Sequence, residues 1–290
     1  MKEKVILDTD IGSDIDDVIC LSYLLSNHSC ELLGVTTVTG ESDKRSMMAD
    51  YLIEKAGKKI PVFPGCEIPL IGEQKQKYCP QFEYLKKISY RKTYDKFEWL
   101  NFIRKTIREN PGEINLITIG PLTNIGILFS FDPEIPSLLK GLYIMGGKFF
   151  GDKIIEWNIG CDPYSAHIVF SSNIKNVYVC GLDVTTKVTM KKEEVIKEFS
   201  KYNLLKEVLN FAEIWFRGRD IITFHDPLTA TILFNKEICK FKRGKVYVKI
   251  ENRDNSGITE FKEDEKSFIN VSYEVEPEKF FLEFFSVFAN

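Results

Sequence analysis

The chain reads as an α/β fold of Rossmann-like type, a mainly parallel central sheet flanked by helices. Three observations point there. Short apolar runs of strand length alternate with longer stretches of helical periodicity. These runs suit strands covered by helices on both faces. Carboxylates, amides and paired glycines then fall just after the runs, where open α/β sheets gather their sites. With 290 residues and no internal repeat, low-complexity tract or linker, one domain spanning 1–290 is expected.

In chain order, strands are expected at Val5–Leu7, Leu32–Val38, Ile114–Ile119, Leu142–Met145 and Val177–Cys180. Helical spacing appears around Val18–Leu25, Lys44–Ala56, Lys96–Glu109, Leu122–Phe129 and Tyr164–Phe170. Gly65–Tyr94, polar and rich in Tyr, Lys and Gln, reads as a long surface excursion. Met190–Asn235 reads as helical almost throughout, broken near Arg217–Phe224. The tail returns to strands at Lys245–Ile250, Gly257–Phe261 and Phe268–Glu276, and the Phe-rich helix Glu278–Phe288 is expected to pack on the sheet.

Hydrophobic residues make up 44% of the chain and charged residues 28%, ordinary values for a globular protein. A formal net charge of −3 gives no general attraction for nucleic acid or an anionic membrane surface, so neither partner is expected. The seven cysteines form no C-x-x-C pair. Residues 1–4 lead straight into a strand without an apolar leader, and no run is long enough to span a membrane. A cytoplasmic protein with reduced, mostly packed thiols is the expectation.

Five aspartates crowd the first strand-to-helix turn: Asp8, Asp10, Asp14, Asp16 and Asp17. Like charges this close repel unless a cation sits among them, and a hard ion with oxygen ligands, Ca²⁺ or Mg²⁺, answers that need. The helix N-terminus adds only about 0.3–1 kcal/mol per charge. Later strands are followed by Thr39-Gly40-Glu41, by Gly120-Pro121-Leu122-Thr123-Asn124, and by Gly146-Gly147 leading to Glu156-Trp157-Asn158. Asp162-Pro163 has the pattern of a helix cap. Asp226-Pro227 shares it, but the adjacent His225 favours acid-base or ligand work at a helix mouth. His28 reads as a C-terminal cap and His167 as a packed helix residue. Phe149, Phe150, Trp157, Trp215, Phe216 and Phe224 are aromatics of a kind that stacks on a base, though core positions are the commoner use.

These residues resemble the inosine-uridine-preferring nucleoside hydrolases. The resemblance rests on D-T-D-I-G-S-D-I-D-D (8–17), G-V-T-T-V-T-G (34–40), G-P-L-T-N-I (120–125) and M-G-G (145–147). It continues in E-W-N-I-G-C-D-P (156–163), G-L-D-V-T (181–185), F-H-D-P (224–227) and the tail N-V-S-Y-E-V-E-P-E-K-F-F (270–281). It implies the nucleoside hydrolase fold, a nucleoside substrate, a homo-oligomer (dimer or tetramer), and hydrolysis of a ribonucleoside N-glycosidic bond at a bound Ca²⁺. By position it makes Asp10 a calcium ligand and the base for the attacking water, with Asp17, the Thr123 carbonyl and Asp226 as further ligands. Asp16 would hold the ribose 2′-hydroxyl, Asn158 the 3′-hydroxyl and Glu156 the 5′-hydroxyl, with His225 beside the leaving base. The residue types suit the chemistry: carboxylates stabilise an oxocarbenium-like centre, and a cation can grip vicinal hydroxyls and a water together.

Three departures from the family pattern stand out. The turn is two residues longer than the family's shorter form, so Asp14 competes with Asp16 and Asp17; alignment on the helix start favours the latter pair. Glu41 stands where asparagine is common, and reads as an extra cleft acid rather than an amide contact. The loop Lys148–Ile155 lacks the asparagine some members use for the 5′-hydroxyl. Rival readings are a calcium-dependent ribosyl-binding protein without catalysis and a haloacid dehalogenase-type phosphatase. The first has no use for Asp10 and His225 together. The second wants Thr or Val where Gly12 stands and leaves G-P-L-T-N and E-W-N unexplained. An EF-hand loop from Asp8 also fails, since Gly12 would fill its fifth ligand position.

Overall fold

The computed structural model describes residues 2–251 and 256–289. The chain opens with β1 (Glu3–Thr9), α1 (Asp16–Ser26), β2 (Cys30–Thr37), α2 (Ser42–Lys55) and the edge strand β3 (Val62–Pro64). Next come α3 (Phe82–Lys87), α4 (Glu98–Glu109), β4 (Ile114–Thr118), α5 (Thr123–Phe131), α6 (Ile135–Leu138) and β5 (Gly141–Met145). The middle holds α7 (Trp157–Cys161), α8 (Pro163–Phe170), β6 (Val177–Cys180), α9 (Leu182–Thr185) and β7 (Thr189–Lys191). It continues through α10 (Lys192–Phe199), α11 (Asn203–Trp215), β8 (Ile221–Thr223) and α12 (His225–Phe234). The tail is β9 (Cys239–Val248), β10 (Thr259–Glu263), β11 (Ile269–Val275) and α13 (Pro277–Ser286).

Among the described residues nine strands form one sheet in the order β10-β9-β11-β6-β5-β4-β1-β2-β3. β1 to β6 run parallel, β11 joins β6 in parallel, and β9 pairs antiparallel with both β10 and β11. This is the α/β fold with a mainly parallel sheet that the sequence predicts. From β1 the chain order runs outward to β2 and β3 on one side and to β4, β5 and β6 on the other. The reversal point lies between β1 and β4, and the crevice at their carboxyl ends is where such sheets bind ligands.

The period of two decides which face each side chain covers. On β1, Val5 and Leu7 join a core with Val18 and Leu21 of α1, Met48 and Leu52 of α2, Phe211 of α11 and Leu228 of α12. Ile6 points the other way, into a core with Ile103 and Ile107 of α4, Ile125 and Leu128 of α5 and Ala166 of α8. The Phe-rich closing helix completes the helical layer: Phe280 and Phe284 meet Phe224 at centroid separations of 5.6 Å, and Phe284 stacks on Tyr23 of α1.

Three regions differ from expectation. The 65–94 stretch is not wholly a surface excursion, because Cys79, Phe82 and Leu85 are buried and α3 packs in the core. The Met190–Asn235 stretch contains a small antiparallel pair, β7 with β8, whose three-residue strands are too short to show a period. β9 begins six residues ahead of the predicted Lys245, since its first half carries charged side chains on an exposed face. All seven cysteines are free. Among the described residues no helix is long and apolar enough to cross a membrane.

Candidate active site

A cleft of about 420 Å³ opens over the carboxyl ends of β1, β4 and β5. Asp10, Asp14, Asp16, Asp17 and Asp226 form its acidic side, with His225 beside them. Glu156, Trp157 and Asn158 face it from the loop after β5, and Trp215 and Arg219 line it from the segment before β8.

The acids are held by local rules. β1 ends at Thr9, whose hydroxyl donates to Asp17 Oδ1 at 2.5 Å and accepts from the Ile11 backbone N–H at 3.1 Å. Asp16 and Asp17 occupy the first turn of α1, where the helix dipole favours negative charge. Asp226 sits in the first turn of α12, and its backbone N–H donates to Asp16 Oδ2 at 3.2 Å, bringing the two helix mouths together. Carboxylate oxygens of Asp16, Asp17 and Asp226 all lie within 4.8 Å of one another. Burial, then mutual repulsion, pushes the pKa of each well above the ordinary carboxylate range. Burial also raises Asp10, against the pull of the Arg45 guanidinium. Asp14, whose Oδ1 accepts the Ile15 N–H at 2.6 Å, is pushed up by burial to about 6.

Arg45 is wholly buried, donating to the carbonyls of Gly40 (2.9 Å), Ile11 (3.1 Å), Tyr78 (2.8 Å) and Asp10. One guanidinium does not balance Asp10, Asp16, Asp17 and Asp226, all at most 6% exposed. Buried carboxylates with this much uncompensated charge fit a hard divalent cation, whose presence would reverse the pKa logic.

The sugar-side candidates are equally constrained. Glu156 caps α7, its Oε1 accepting from the Asn158 N–H (2.8 Å) and its Oε2 from Ile159 (3.0 Å) and Gly147 (3.0 Å). Burial raises its pKa while these donors lower it, and one lone-pair site remains. Asn158 Nδ2 donates to the carbonyls of Ile119 (2.9 Å) and Met145 (3.3 Å), and among the described residues its Oδ1 accepts nothing, which suits a substrate hydroxyl. His225 Nδ1 lies 2.7 Å from Thr185 Oγ1. Burial lowers its pKa to about 4, leaving a neutral imidazole at pH 7.

Other predicted residues do not line the cleft with their side chains. Thr123 is buried and its hydroxyl donates to Asp162 Oδ2 at 2.7 Å; Asp162 caps α8 through the Ser165 N–H at 3.0 Å, as its sequence pattern suggests. Glu41, in a left-handed conformation at φ 61°, accepts the Cys79 N–H at 2.8 Å and pairs with Lys44. It is not among the residues lining the cleft. Asp8 lies within the sheet, accepting from Thr36 (2.5 Å) and Asn124 (2.7 Å), and burial pushes its pKa to about 7. Sequence reasoning missed Gln76, which is only 7% exposed and donates to Asp10 Oδ2 at 2.6 Å, and missed Arg45. Neither carries a local sequence signal, since both work across long separations in the chain.

Comparison with known proteins agrees with this geometry. The family model described as inosine-uridine preferring nucleoside hydrolase matches residues 5–282. A probable uridine nucleosidase 2 from Oryza sativa subsp. japonica is 30% identical over 270 residues, covering 86% of this chain and 79% of the relative. An inosine-uridine preferring nucleoside hydrolase from Leishmania major is 26% identical, over 89% of this chain and 87% of its own. A plant nucleoside hydrolase structure superposes with a TM-score of 0.85 at 23% identity, covering all of both chains, and so shares the fold. The chain belongs to the inosine-uridine preferring nucleoside hydrolase family and is a nucleoside N-ribohydrolase.

Proposed function

We propose that this chain, as a single domain over 1–290, hydrolyses the N-glycosidic bond of ribonucleosides to free base and ribose with Ca²⁺ as its metal. The observation that carries the proposal is the convergence of Asp10, Asp16, Asp17 and Asp226, all buried, on one cleft that also presents Asn158 and His225. Asp10, Asp17 and Asp226, with the Thr123 carbonyl, are the residues we assign to the metal. Bound there, the ion would supply positive charge that lowers the pKa of water and steadies ribose hydroxyls.

Asp10 takes the proton from the attacking water, since it lines the cleft and its carboxylate is held from one side. Asp16 accepts from the 2′-hydroxyl, Asn158 Oδ1 from the 3′-hydroxyl, and Glu156 offers its remaining lone pair to the 5′-hydroxyl. The carboxylates stabilise the cationic ribosyl centre that forms as the bond breaks. We assign His225, its ring held by Thr185, to the leaving base: its ring N–H gives the departing base its proton or hydrogen-bonds it as an anion that solvent then protonates. Trp157 forms part of the cleft wall. Glu41 serves the site indirectly, through the Cys79 segment it holds.

Both relatives' names include uridine, so uridine heads the substrate panel, with inosine, cytidine, adenosine and guanosine. Reducing-sugar release that stops in a calcium chelator and returns with Ca²⁺ supports the proposal. Turnover unaffected by chelation rejects the metal's role. A cytoplasmic place in nucleoside salvage and a homo-oligomeric state complete the proposal, the first supported by seven unpaired cysteines and the second by family resemblance.

A further inference from the structure

We propose that Gln76 is a positioning residue that sets the orientation of the Asp10 carboxylate, and that the Trp157 indole fixes which way the Gln76 amide faces. The inference rests on the reading of Asp10 as the base. Gln76 Nε2 donates to Asp10 Oδ2 at 2.6 Å and to Ser13 Oγ at 2.8 Å, while Gln76 Oε1 accepts from Trp157 Nε1 at 2.5 Å. An indole N–H only donates and an ionised carboxylate only accepts. A group bridging the two must accept at one end and donate at the other, which a primary amide does. Rotating the amide by 180° would set two donors face to face and an oxygen against Asp10, so Trp157 excludes that state.

The other carboxylate oxygen is fixed by shape. A Cβ built on Gly120 would lie 2.7 Å from Asp10 Oδ1, so only glycine leaves room for the carboxylate between this backbone and the Gln76 amide. With Oδ2 tied to Gln76, Oδ1 is the oxygen left free of that bond.

The loop that delivers Gln76 is itself braced. The Gln76 backbone N–H donates to Gln74 Oε1 at 2.7 Å, and Thr39 Oγ1 donates to the same oxygen at 3.1 Å. Arg45 donates to the Tyr78 carbonyl, Glu41 accepts from the Cys79 N–H, and the Gln81 N–H donates to the Gly12 carbonyl at 3.1 Å. Gly40 allows close approach, because a Cβ there would lie 2.5 Å from the Lys77 carbonyl oxygen and 2.7 Å from that of Gln76. A segment pinned at this many points presents its side chain at a set place, which is what a positioning role requires.

The test compares Gln76→Met, isosteric Gln76→Glu, Trp157→Phe and the double variant Gln76→Met/Trp157→Phe with wild type on the best nucleoside of the panel, after thermal melts confirm folding. Gln76→Met is expected to lower kcat by about 10- to 100-fold with KM within about threefold, as loss of a group acting through the base requires. Gln76→Glu, which faces Asp10 with an oxygen, is expected to lose at least as much. Trp157→Phe keeps a ring but loses the donor, and its effect should nearly vanish in the Gln76→Met background. In the metal-free protein, the Trp157 indole N–H resonance, assigned with Trp157→Phe, should move upfield in Gln76→Met. Unchanged kcat in Gln76→Met, an effect confined to KM, independent multiplication of the two single effects, or an unmoved indole resonance would each overturn the assignment. Failure of the underlying reading looks different: wild type releases no sugar, or Asp10→Asn retains turnover, and the Gln76 assignment then falls with it.

Discussion

Replacing Asp226 by Asn should stabilise the calcium-free protein and remove most of its response to calcium. Carboxylate oxygens of Asp16, Asp17 and Asp226 approach within 4.8 Å. At an effective dielectric of about 20, two ionised groups at that distance repel by roughly 3 kcal/mol. Protonation relieves part of this, consistent with the raised pKa values of all three. In chelator, Asp226→Asn should therefore stabilise the protein by about 1–3 kcal/mol. Unfolding entropy near 2.1 cal/mol/K per residue gives roughly 0.6 kcal/mol/K for this chain, so the gain is about 2–5 °C in Tm. Bound at the proposed site, calcium would act in the reverse sense. With Kd near 10 μM, 1 mM Ca²⁺ would stabilise wild type by about 2.7 kcal/mol, again roughly 4 °C. Asp226→Asn should lose most of that shift. Differential scanning calorimetry of both proteins, with chelator and with 1 mM Ca²⁺, reads all four values. A wild type indifferent to calcium, or a variant that shifts as much as wild type, would refute the reasoning.

Two further predictions concern the scaffold. Phe224, wholly buried among Phe280, Phe281 and Phe284, orients the mouth of α12, so Phe224→Ala should cost about 3–5 kcal/mol in urea unfolding. A loss below about 1 kcal/mol would contradict that packing. Asp132 takes two bonds from Arg108 (2.8 and 2.6 Å) and one from Arg104 (2.6 Å), and the Arg108 bonds pull its pKa down to about 2. A depressed folded pKa means stabilisation complete above the unfolded value near 3.8 and lost as pH falls towards 2. Asp132→Asn should therefore cost about 1–2 kcal/mol at pH 7, discounted for the partly exposed arginines, and progressively less below pH 4. A difference independent of pH would refute the linkage.

Much of this architecture was legible because the chemistry is local. The buried run Val5–Leu7 and the acids behind it place β1 and its turn, and the parallel sheet then puts every strand's trailing loop at one edge. Asp10, Asp16, Asp17, Glu156, Asn158, His225 and Asp226 all reach the cleft from motifs readable in isolation. Gln76 was not readable, because its place is set by Arg45, Glu41 and Gly40, residues 31 to 36 positions away, and nothing in its own polar stretch marks it. Arg45 hid for a related reason: a charged residue within a helix reads as exposed unless the carbonyls that surround it are known. Glu41 showed its charge but not its direction, which depends on a left-handed backbone at that position. β7 and β8 are too short for periodicity, and they form because two distant segments pair.

In the proposed reaction Asp10 drives hydrolysis of a nucleoside in a cation-filled acidic cleft. The most direct measurement is reducing-sugar release from uridine and inosine by wild type and Asp10→Asn, each with 1 mM Ca²⁺ and with excess chelator. Turnover is expected only for wild type with calcium, with kcat at least about 1,000-fold lower in Asp10→Asn. Equal turnover by the two proteins, or wild-type activity that survives chelation, would contradict the account.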